Sequence, residues 1–263
     1  MRTEPLPEDA VFVFAHQDDE IGALTRLRWE VARGSRVWCC YLTDGASAVA
    51  ASVRDRESLV TLERAGVERA RVGFLGDPER IADGNLPFET PRALRMLAAW
   101  AAAIQNVARI YVLDWEGGHH DHDAANVVAA AFARQRGAPD VMVYSMYNGW
   151  RRPSGWFRVT SLIPAPGAML RRRLSLWEAL RPVFAILEYP SQRRTWLGLG
   201  PGLALRAIVA REERLRKLDT SRLAARPHPG QLLYEKLFNV SAERVLDSTA
   251  ELRGLVLSGG KTP

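Results

Sequence analysis

The chain contains 263 residues, of which 47% are hydrophobic and 25% are charged, a composition typical of a globular protein with a sizeable core. Lys and Arg number 36 against 30 Asp and Glu, so the formal net charge is +6, and arginine supplies most of the positive charge. That excess suits an anionic ligand or a membrane surface, whereas a nucleic-acid partner would leave the clustered histidines unexplained. No run of about 18 uninterrupted apolar residues occurs, so we do not expect a membrane-spanning helix.

The amino terminus and the cysteines indicate a compartment. The first ten residues, MRTEPLPEDA, lack the apolar core of a signal peptide. We therefore expect a cytoplasmic protein, with peripheral contact at the membrane surface as the alternative. Cys39 and Cys40 are adjacent in an apolar run, where neighbours on a strand point to opposite faces, so we expect two buried free thiols.

Strand-like and helix-like patterns alternate through the first half of the chain. Apolar runs predict strands at about 11–14, 37–42, 72–75, 110–113 and 141–144. Helical spacing of apolar residues predicts helices between them, which end near Gly34, Gly66 and Gly137. The last of these helices is predicted to begin at about Ala124. Thr90 and Pro91 resemble the cap and first residue of a helix that continues to Ile104.

This alternation predicts an α/β fold with a Rossmann-like, doubly wound, mainly parallel sheet. In the common strand order of such folds the first and fourth strands are neighbours, and ligands bind at their carboxyl ends. We expect residues 1–145 to form this Rossmann-like core. Beyond them the sequence is rich in Trp, Arg, Pro and Gly, with helices predicted near 203–218 and 240–253. We expect residues 146–263 to cover the crevice at the carboxyl ends of these strands and to complete the same domain.

Ionisable residues cluster directly after the first and fourth predicted strands. His16, Asp18, Asp19 and Glu20 follow the first strand, and residues 116–123 follow the fourth. Chains rarely place so many ionisable groups where a sheet leaves its core. Capping of the next helix would explain the acids, but it requires no matching histidines on a distant strand. The two clusters together indicate a metal-dependent hydrolytic site.

The spacing suggests a set of metal ligands. His16 and Asp19 are three residues apart on a tight strand-to-helix turn, so they can face the same point, and His122 from the other strand would complete a triad. Three ligands from His and Asp with one open position are typical of catalytic zinc. Ligand identity alone does not decide the metal, so Fe²⁺ is an alternative to Zn²⁺.

The neighbours of these ligands suggest catalytic roles. Asp18 is placed to take a proton from the water that the metal activates. His119 could stabilise an oxyanion or protonate the leaving group. Asp121 could orient an imidazole through its second nitrogen. For Glu20, helix capping or support of its neighbours is the better explanation.

The two clusters resemble the signature of a known family. Ala-His-Gln-Asp-Asp-Glu at 15–20 is similar to the Ala-His-Pro-Asp-Asp-Glu motif of the PIG-L/LmbE-like N-acetylglucosamine deacetylases. Gly-Gly-His-His-Asp-His at 117–122 resembles the Gly-Gly-His-x-Asp-His motif of that family. Gln17 replaces the usual proline, which removes a backbone restraint but no catalytic group. His120 occupies the variable position and is interpreted as a bystander or an additional polar contact.

Further elements of the sequence agree with this resemblance less specifically. Arg54 and Glu57 resemble an Arg-x-x-Glu element of the family, and Gly66 resembles the helix end that follows it. Ser191 and Gln192 resemble a later Ser-Gln element. The resemblance implies that Arg54 contacts the substrate, although a plain surface arginine explains it equally well. It covers most of residues 11–145 and scattered points beyond.

The resemblance implies a reaction and a role for each motif residue. His16, Asp19 and His122 would be zinc ligands, Asp18 the general base, and His119 the transition-state stabiliser or general acid. The implied activity is hydrolysis of the acetamide of an N-acetylated amino sugar or glycoconjugate. The alternatives are an amidase that acts on a non-sugar acyl amide and an inactive, ligand-binding protein of the same fold.

Outside the motifs the sequence gives weaker indications of the substrate. Asp44 is a candidate contact for a sugar hydroxyl, although an ordinary turn explains it equally well. The aromatic stretch at 147–156 and the arginines at 171–173 and 193–194 could shape a pocket for a lipid-linked amino sugar. Ordinary packing and a solvated basic face are the alternatives. A small-molecule or lipid-linked amino sugar is therefore the expected partner.

Overall fold

The computed structural model describes residues 8–46, 49–137, 140–153 and 156–258 of the chain. Residues 1–7, which carry most of the segment used to judge a signal peptide, lie outside these ranges. Within the ranges no helix is long and apolar enough to cross a membrane. Cys39 and Cys40 are buried free thiols, as predicted.

The described chain forms nine strands and ten α-helices. The strands are β1 (Asp9–Phe14), β2 (Arg36–Tyr41), β3 (Val72–Phe74), β4 (Val107–Leu113), β5 (Asp140–Tyr144), β6 (Tyr147–Asn148), β7 (Arg158–Val159), β8 (Met169–Arg173) and β9 (Glu212–Lys217). The helices are α1 (Glu20–Ala32), α2 (Ala51–Ala65), α3 (Gly76–Glu79), α4 (Thr90–Trp100), α5 (His120–Gln135), α6 (Leu176–Ala185), α7 (Arg193–Val209), α8 (Leu233–Leu237), α9 (Ala242–Ser248) and α10 (Ala250–Ser258).

Seven of the strands form one sheet in the order β3-β2-β1-β4-β5-β9-β8. The strands from β1 to β5 run parallel, and β9 and β8 are antiparallel to their neighbours. This order confirms the predicted doubly wound α/β fold. It also places β1 beside β4, with Val13 paired to Val112, so the polar segments that follow these strands leave the sheet side by side.

The core has two layers because neighbouring side chains on a strand point to opposite faces. On one face, Val11 and Val13 pack in a cluster with residues of α4 and α5. On the other face, Phe12 and Phe14 pack with residues of α1 and α2. All of β1 is buried, which explains why residues 10–14 are all apolar, and the buried Asp9 at its start is paired with Arg36.

Four predicted helices differ from the structure. The helix predicted to continue to Ile104 ends at Trp100 and is followed by a 3-10 turn, and the helix predicted near 240–253 is two helices, α9 and α10. The helix predicted from about Ala124 begins at His120, so the second motif forms its first turn. The helix predicted near 203–218 is wrong in its second half, because α7 ends at Val209 and residues 212–217 form strand β9. The sequence of β9 is almost entirely charged, and its buried Glu213 and Arg216 are paired with Arg26 and Asp114.

The carboxyl-terminal half of the chain both extends the sheet and approaches the crevice. β9 pairs with β5, and β8 pairs with β9. The segment before α7 and the start of α7 reach the carboxyl ends of β1 and β4, where they line a cavity with the two polar segments. We therefore propose that residues 146–263 complete one domain with residues 1–145.

Candidate metal centre

Three side chains from the two polar segments meet at the carboxyl ends of β1 and β4. His16 and Asp19 lie in the turn between β1 and α1, and His122 lies in the first turn of α5. Their potential ligand atoms lie within 4.8 Å of one another, and all three residues are buried. The structure thus brings together the three ligands that the sequence suggested. Two imidazoles and one carboxylate that converge in this way fit a divalent metal such as zinc.

Asp19 is held in place by two backbone groups and faces both histidines. Its Oδ2 accepts hydrogen bonds from the backbone N–H groups of Ala15, at 3.0 Å, and His16, at 2.8 Å. Its Oδ1 lies 3.0 Å from His122 Nε2. Burial favours the neutral acid, but the two neighbouring histidines outweigh it and lower the pKa of Asp19. The carboxylate is therefore ionised and able to bind a cation.

Asp121 lies behind His16 rather than in the cavity. Its Oδ2 lies 2.9 Å from His16 Nε2, which leaves His16 Nδ1 facing Asp19 at 3.8 Å. Fully buried, Asp121 also accepts the backbone N–H groups of Gly84 and Leu86, at 2.6 and 3.1 Å. A carboxylate with these donors keeps the proton of His16 on Nε2 and leaves Nδ1 free to bind a metal.

His119 is the N-cap residue of α5 and lines the cavity. Its Nδ1 accepts the backbone N–H of Asp121 at 3.1 Å, so in the neutral ring the proton lies on Nε2. Burial and the neighbouring histidines hold the pKa of His119 well below its ordinary value. His119 is therefore a neutral imidazole that offers an N–H donor.

Asp18 lies beside the candidate ligands in a constrained conformation with φ of 113°. Glu20 supports this conformation, because its Oε2 accepts the Asp18 backbone N–H at 2.9 Å and its Oε1 accepts the Tyr189 hydroxyl at 2.5 Å. Burial raises the pKa of Asp18 to about 8, although the nearby Arg54 opposes the shift. A carboxyl group with a raised pKa, aimed into a cavity, is suited to accept a proton.

Arg54 is buried, which excludes the surface arginine that was the alternative interpretation. It donates to Asp18 Oδ1 at 3.1 Å and to the backbone oxygens of Gln17 and Gly45. Asp44 lies outside the cavity lining and accepts the backbone N–H of Asp83 at 3.1 Å.

Asp83 is a cavity residue that the sequence analysis did not single out. Its Oδ1 lies 3.2 Å from His16 Nε2, and its Oδ2 lies 3.5 Å from Arg54 Nη1. The loop that carries it is held by Asp121 and by His120, whose Nε2 lies 2.9 Å from the Gly84 carbonyl oxygen. Asp83 and Gly84 form an Asp-Gly pair, which is typical of turns and is the local signal that could have drawn attention to Asp83. His120 thus makes a polar contact with this loop.

Glu116 fixes the segment after β5 against the metal site. Its carboxylate accepts hydrogen bonds from the Ser145 hydroxyl, the Asn148 amide and the backbone N–H groups of Met146 and Tyr147. The Tyr147 ring consequently lies with its centroid 5.6 Å from that of His122. The approach is so close that a Cβ on Gly118 would lie 2.1 Å from the Tyr147 carbonyl oxygen.

A cavity of about 330 Å³ opens above these residues. Aromatic and apolar side chains from the carboxyl-terminal half form its walls, among them Tyr147, Trp196, Leu199 and Phe238. Trp156, at the other end of the aromatic stretch, is 71% exposed and lines a different groove.

The two weaker sequence elements contact each other beside the cavity. The Ser191 hydroxyl and backbone N–H both donate to the Glu57 carboxylate. Gln192, the next residue, lines the cavity. The Arg-x-x-Glu helix and the later Ser-Gln segment therefore form one structural unit, which carries Arg54 on the same helix as Glu57.

Residues 11–133 match a family model described as PIG-L, GlcNAc-PI de-N-acetylase. A comparison with curated proteins finds no match. Among solved structures, the zinc-inhibited form of teicoplanin deacetylase Orf2 has a TM-score of 0.57 and 13% identity, covering 80% of this chain and 99% of that one. The N,N'-diacetylchitobiose deacetylase from Pyrococcus horikoshii has a TM-score of 0.58 and 16% identity, covering 84% and 88%. At these identities the structural likeness supports the fold alone.

Proposed function

We propose that this chain, which belongs to the PIG-L family, is a metal-dependent hydrolase that removes the acetyl group from an N-acetylated amino sugar or glycoconjugate. The observation that carries this proposal is the convergence of His16, Asp19 and His122 beside Asp18 and His119 at one cavity. The first three residues can hold the metal, and Asp18 and His119 can supply proton transfer and charge stabilisation.

We assign His16, Asp19 and His122 as the ligands of one divalent metal. Zn²⁺ is our first choice because two imidazoles and a carboxylate with an open position are its usual catalytic set, and Fe²⁺ is the alternative. When bound, such a metal polarises the amide carbonyl and lowers the pKa of water. Ligand distances of about 2.0–2.2 Å are expected for zinc with these donors.

The protein's own groups then move the protons. Asp18 accepts a proton from the attacking water as its oxygen forms a bond to the acetyl carbon. His119 donates its Nε2–H to the oxygen on which negative charge develops, because the neutral ring already carries that proton. The proton held by Asp18 passes to the amide nitrogen as the C–N bond breaks, which yields the amine and acetic acid, and the acid releases its proton to solvent as acetate.

Three further residues act on these groups. Asp121 positions His16 through its second nitrogen. Arg54 stabilises the ionised form of Asp18, and its place in the cavity lining also permits contact with substrate. Asp44, predicted as a sugar contact, acts in this proposal through the backbone of Asp83. Asp83 itself offers a carboxylate to a sugar hydroxyl.

The walls of the cavity support an amino sugar as substrate. Rings stack on the apolar faces of sugars, and Tyr147, Trp196 and Phe238 supply three rings. A lipid-linked amino sugar remains our finer proposal for the substrate, because α7, which contributes Trp196 to the cavity wall, begins with two arginines and exposes Leu197. An inactive protein of this fold is disfavoured, since Asp18 and His119 are both present and positioned.

Acetate release tests the proposal. The metal content of the purified protein should be one divalent ion per chain, and acetate should be released from at least one member of a panel of N-acetyl amino sugars, with and without a diphosphate-lipid. A His16→Ala variant, which lacks one ligand, is the control for contaminating deacetylases. Release from non-sugar acetamides alone would replace the sugar deacetylase by an amidase. No release from either class by metal-loaded protein would reject the proposed function.

A further inference from the structure

Helix α7 presents apolar side chains to solvent. Leu197, Leu205 and Val209 expose 77%, 65% and 73% of their surface, and Pro201 and Ile208 are also exposed. The positions 197, 201, 205 and 208 recur at helical spacing and therefore share one side of the helix. Between residues 195 and 205 the helix contains no charged residue. A surface helix of a globular protein normally has its polar side outward, so this surface is expected to meet a partner.

The other side of α7 is packed against the protein. The exposed apolar side is therefore additional to the side that the core requires. Trp196, Leu199 and Leu203 form a buried cluster with Tyr189 and Ile21. The helix therefore has two apolar sides, of which the core uses one. The exposed side also borders a groove of about 810 Å³, which is lined by Trp156, Leu205 and Val209 among other residues.

Arginines surround this surface, and one of them, Arg206, senses the charge of the nearby Glu212 without forming a salt bridge to it. Arg152, Arg158 and Arg206 line the groove, and Arg193 and Arg194 begin α7. Within the described ranges none of the five forms a salt bridge. Burial and the charges of Arg152 and Arg151 lower the pKa of Arg158, which shows how closely the positive charges crowd.

The position of Arg193 and Arg194 is unfavourable for the helix itself. Cations at a helix N-terminus oppose the macrodipole, and both side chains are exposed. Helix stability therefore does not explain them, whereas an anionic partner would. The combination of exposed apolar side chains with unpaired arginines is the pattern of a surface that inserts shallowly into a lipid headgroup layer.

We propose that this surface docks on an anionic lipid bilayer. The surface, which we name the α7 face, consists of Leu197, Pro201, Leu205, Ile208 and Val209 with Arg152, Arg158, Arg193, Arg194 and Arg206. A second copy of the chain fits it less well, because a symmetric contact would bring the same unpaired arginines together. The α7 face lies outside the residues 11–133 that match the family model, and its binding to lipid requires neither metal nor catalysis.

Vesicle co-sedimentation tests the proposal with the full-length protein. Vesicles of phosphatidylcholine alone are compared with vesicles that also contain phosphatidylglycerol, at low and at high salt. We expect binding to the anionic vesicles, weakened by salt because the arginine contribution is screened. Equal binding to both kinds of vesicle, or binding to neither, would overturn the proposal.

Two variants and a matched control locate the contact. Leu205→Glu should weaken binding to anionic vesicles by at least about tenfold, because a charge replaces an inserted apolar group. Replacing Arg193 and Arg194 together by Ala should weaken it by roughly fivefold for each charge removed. Leu255→Glu on α10, where the leucine is 49% exposed, is the matched control and should bind as the wild type does.

Two readouts separate the alternatives. Leu205 does not line the catalytic cavity, so Leu205→Glu should deacetylate a free N-acetyl sugar at the wild-type rate, which also shows that it folds. Wild-type binding by Leu205→Glu would overturn the assignment. A dimer that Leu205→Glu dissociates, in the absence of vesicle binding, would assign the face to a second copy instead. Vesicle binding without any deacetylase activity would reject the proposed function and leave the α7 face standing.

Discussion

Asp18 combines a rare backbone conformation with a carboxyl group whose pKa is raised. A non-glycine residue with φ of 113° is rare and costs free energy, and such residues concentrate at functional sites. Here Glu20 accepts the backbone N–H of Asp18, and Arg54 contacts its carboxylate. The first contact holds the backbone of Asp18, and the second holds its carboxylate beside the candidate ligands.

The role of Asp18 as the base is tested by Asp18→Asn. The substitution is nearly isosteric and removes the proton acceptor, so it should keep the fold and the metal while lowering kcat by about 10²-fold or more. Metal analysis and steady-state kinetics on metal-loaded protein measure both quantities. Near-normal turnover would show that another group takes the proton.

His119→Ala separates the donor from the ligands. The variant should bind metal as tightly as the wild type and lose about 10²-fold in kcat, as expected when one oxyanion donor is removed. Metal binding by calorimetry and turnover on the same preparation provide the comparison. Loss of metal in His119→Ala, together with retention in His122→Ala, would mean that the two histidines have exchanged roles.

Asp121 is predicted to act through His16, and Asp121→Asn tests this. The amide removes the charge that holds the Nε2–H of His16, so the metal affinity should fall by about 10–100-fold. Activity should then recover as the metal concentration is raised, whereas that of Asp18→Asn should not. An activity loss that excess metal cannot restore would place Asp121 in direct contact with the reaction.

The candidate ligands could be identified from sequence because each lies in a polar segment that directly follows a strand of the sheet, and the strand fixes where that segment begins. His16, Asp19 and His122 meet because β1 and β4 are neighbours, which the doubly wound pattern predicts. Asp83 could not be identified in this way. Its loop reaches the site through hydrogen bonds to Asp121 and His120, and such contacts leave no periodic trace in the sequence.

Among the elements, β9 shows why periodicity failed in the second half. Periodicity reads polar residues as exposed, yet β9 buries Glu213 and Arg216 at 8% and 1% exposure. Each charge finds a partner on another element: Arg26 on α1 and Asp114 after β4. A strand of paired charges looks like a solvated segment until its partners are known.

Glu116 joins the segment after β4 to the segment after β5, and its contribution to the stability of the protein should depend on pH. Burial raises the pKa of Glu116 to about 8, although Ser145 and Asn148 donate to it. The folded protein therefore retains a proton that the unfolded chain releases above its ordinary pKa of 4.5. The contribution of Glu116 to stability is complete below about pH 4.5 and is lost as the pH rises towards 8.

Glu116→Gln tests this dependence, because the amide does not titrate. The free energy of unfolding of the metal-free protein, measured with denaturant between about pH 5 and 8, should fall less steeply with pH in the variant than in the wild type. Any constant loss of stability from the altered contacts with Asn148 does not affect the slope. Equal slopes would show that Glu116 is already ionised in the folded protein at pH 5.

At the scale of the whole molecule, metal binding should stabilise the fold. The ligands come from two segments separated by a hundred residues, so the unfolded chain cannot reproduce the site. Binding to the folded state alone adds about 2.7 kcal/mol when the free metal is 100 times its dissociation constant. A chelator should therefore lower the Tm and abolish acetate release, and added zinc should restore both.

Two controls complete this experiment. The His122→Ala variant, which lacks a ligand, should show little change in Tm on chelation. Ferrous ion, added under anaerobic conditions, compares the two candidate metals by rate. A wild-type protein that keeps its Tm and its full turnover after metal removal would contradict the metal site.

The start of α5 carries both the proposed metal ligand His122 and the proposed hydrogen-bond donor His119. His119 and His122 are one turn apart on a helix whose first fourteen residues are buried, so the separation of these two groups is set by helix geometry. The surfaces that a substrate's remaining atoms would touch come instead from loops and from the carboxyl-terminal half. Substitutions in those surfaces can therefore change which substrate is bound without moving the reacting groups. Proteins that evolve from one ancestor by such substitutions can differ in substrate specificity and keep the same reaction.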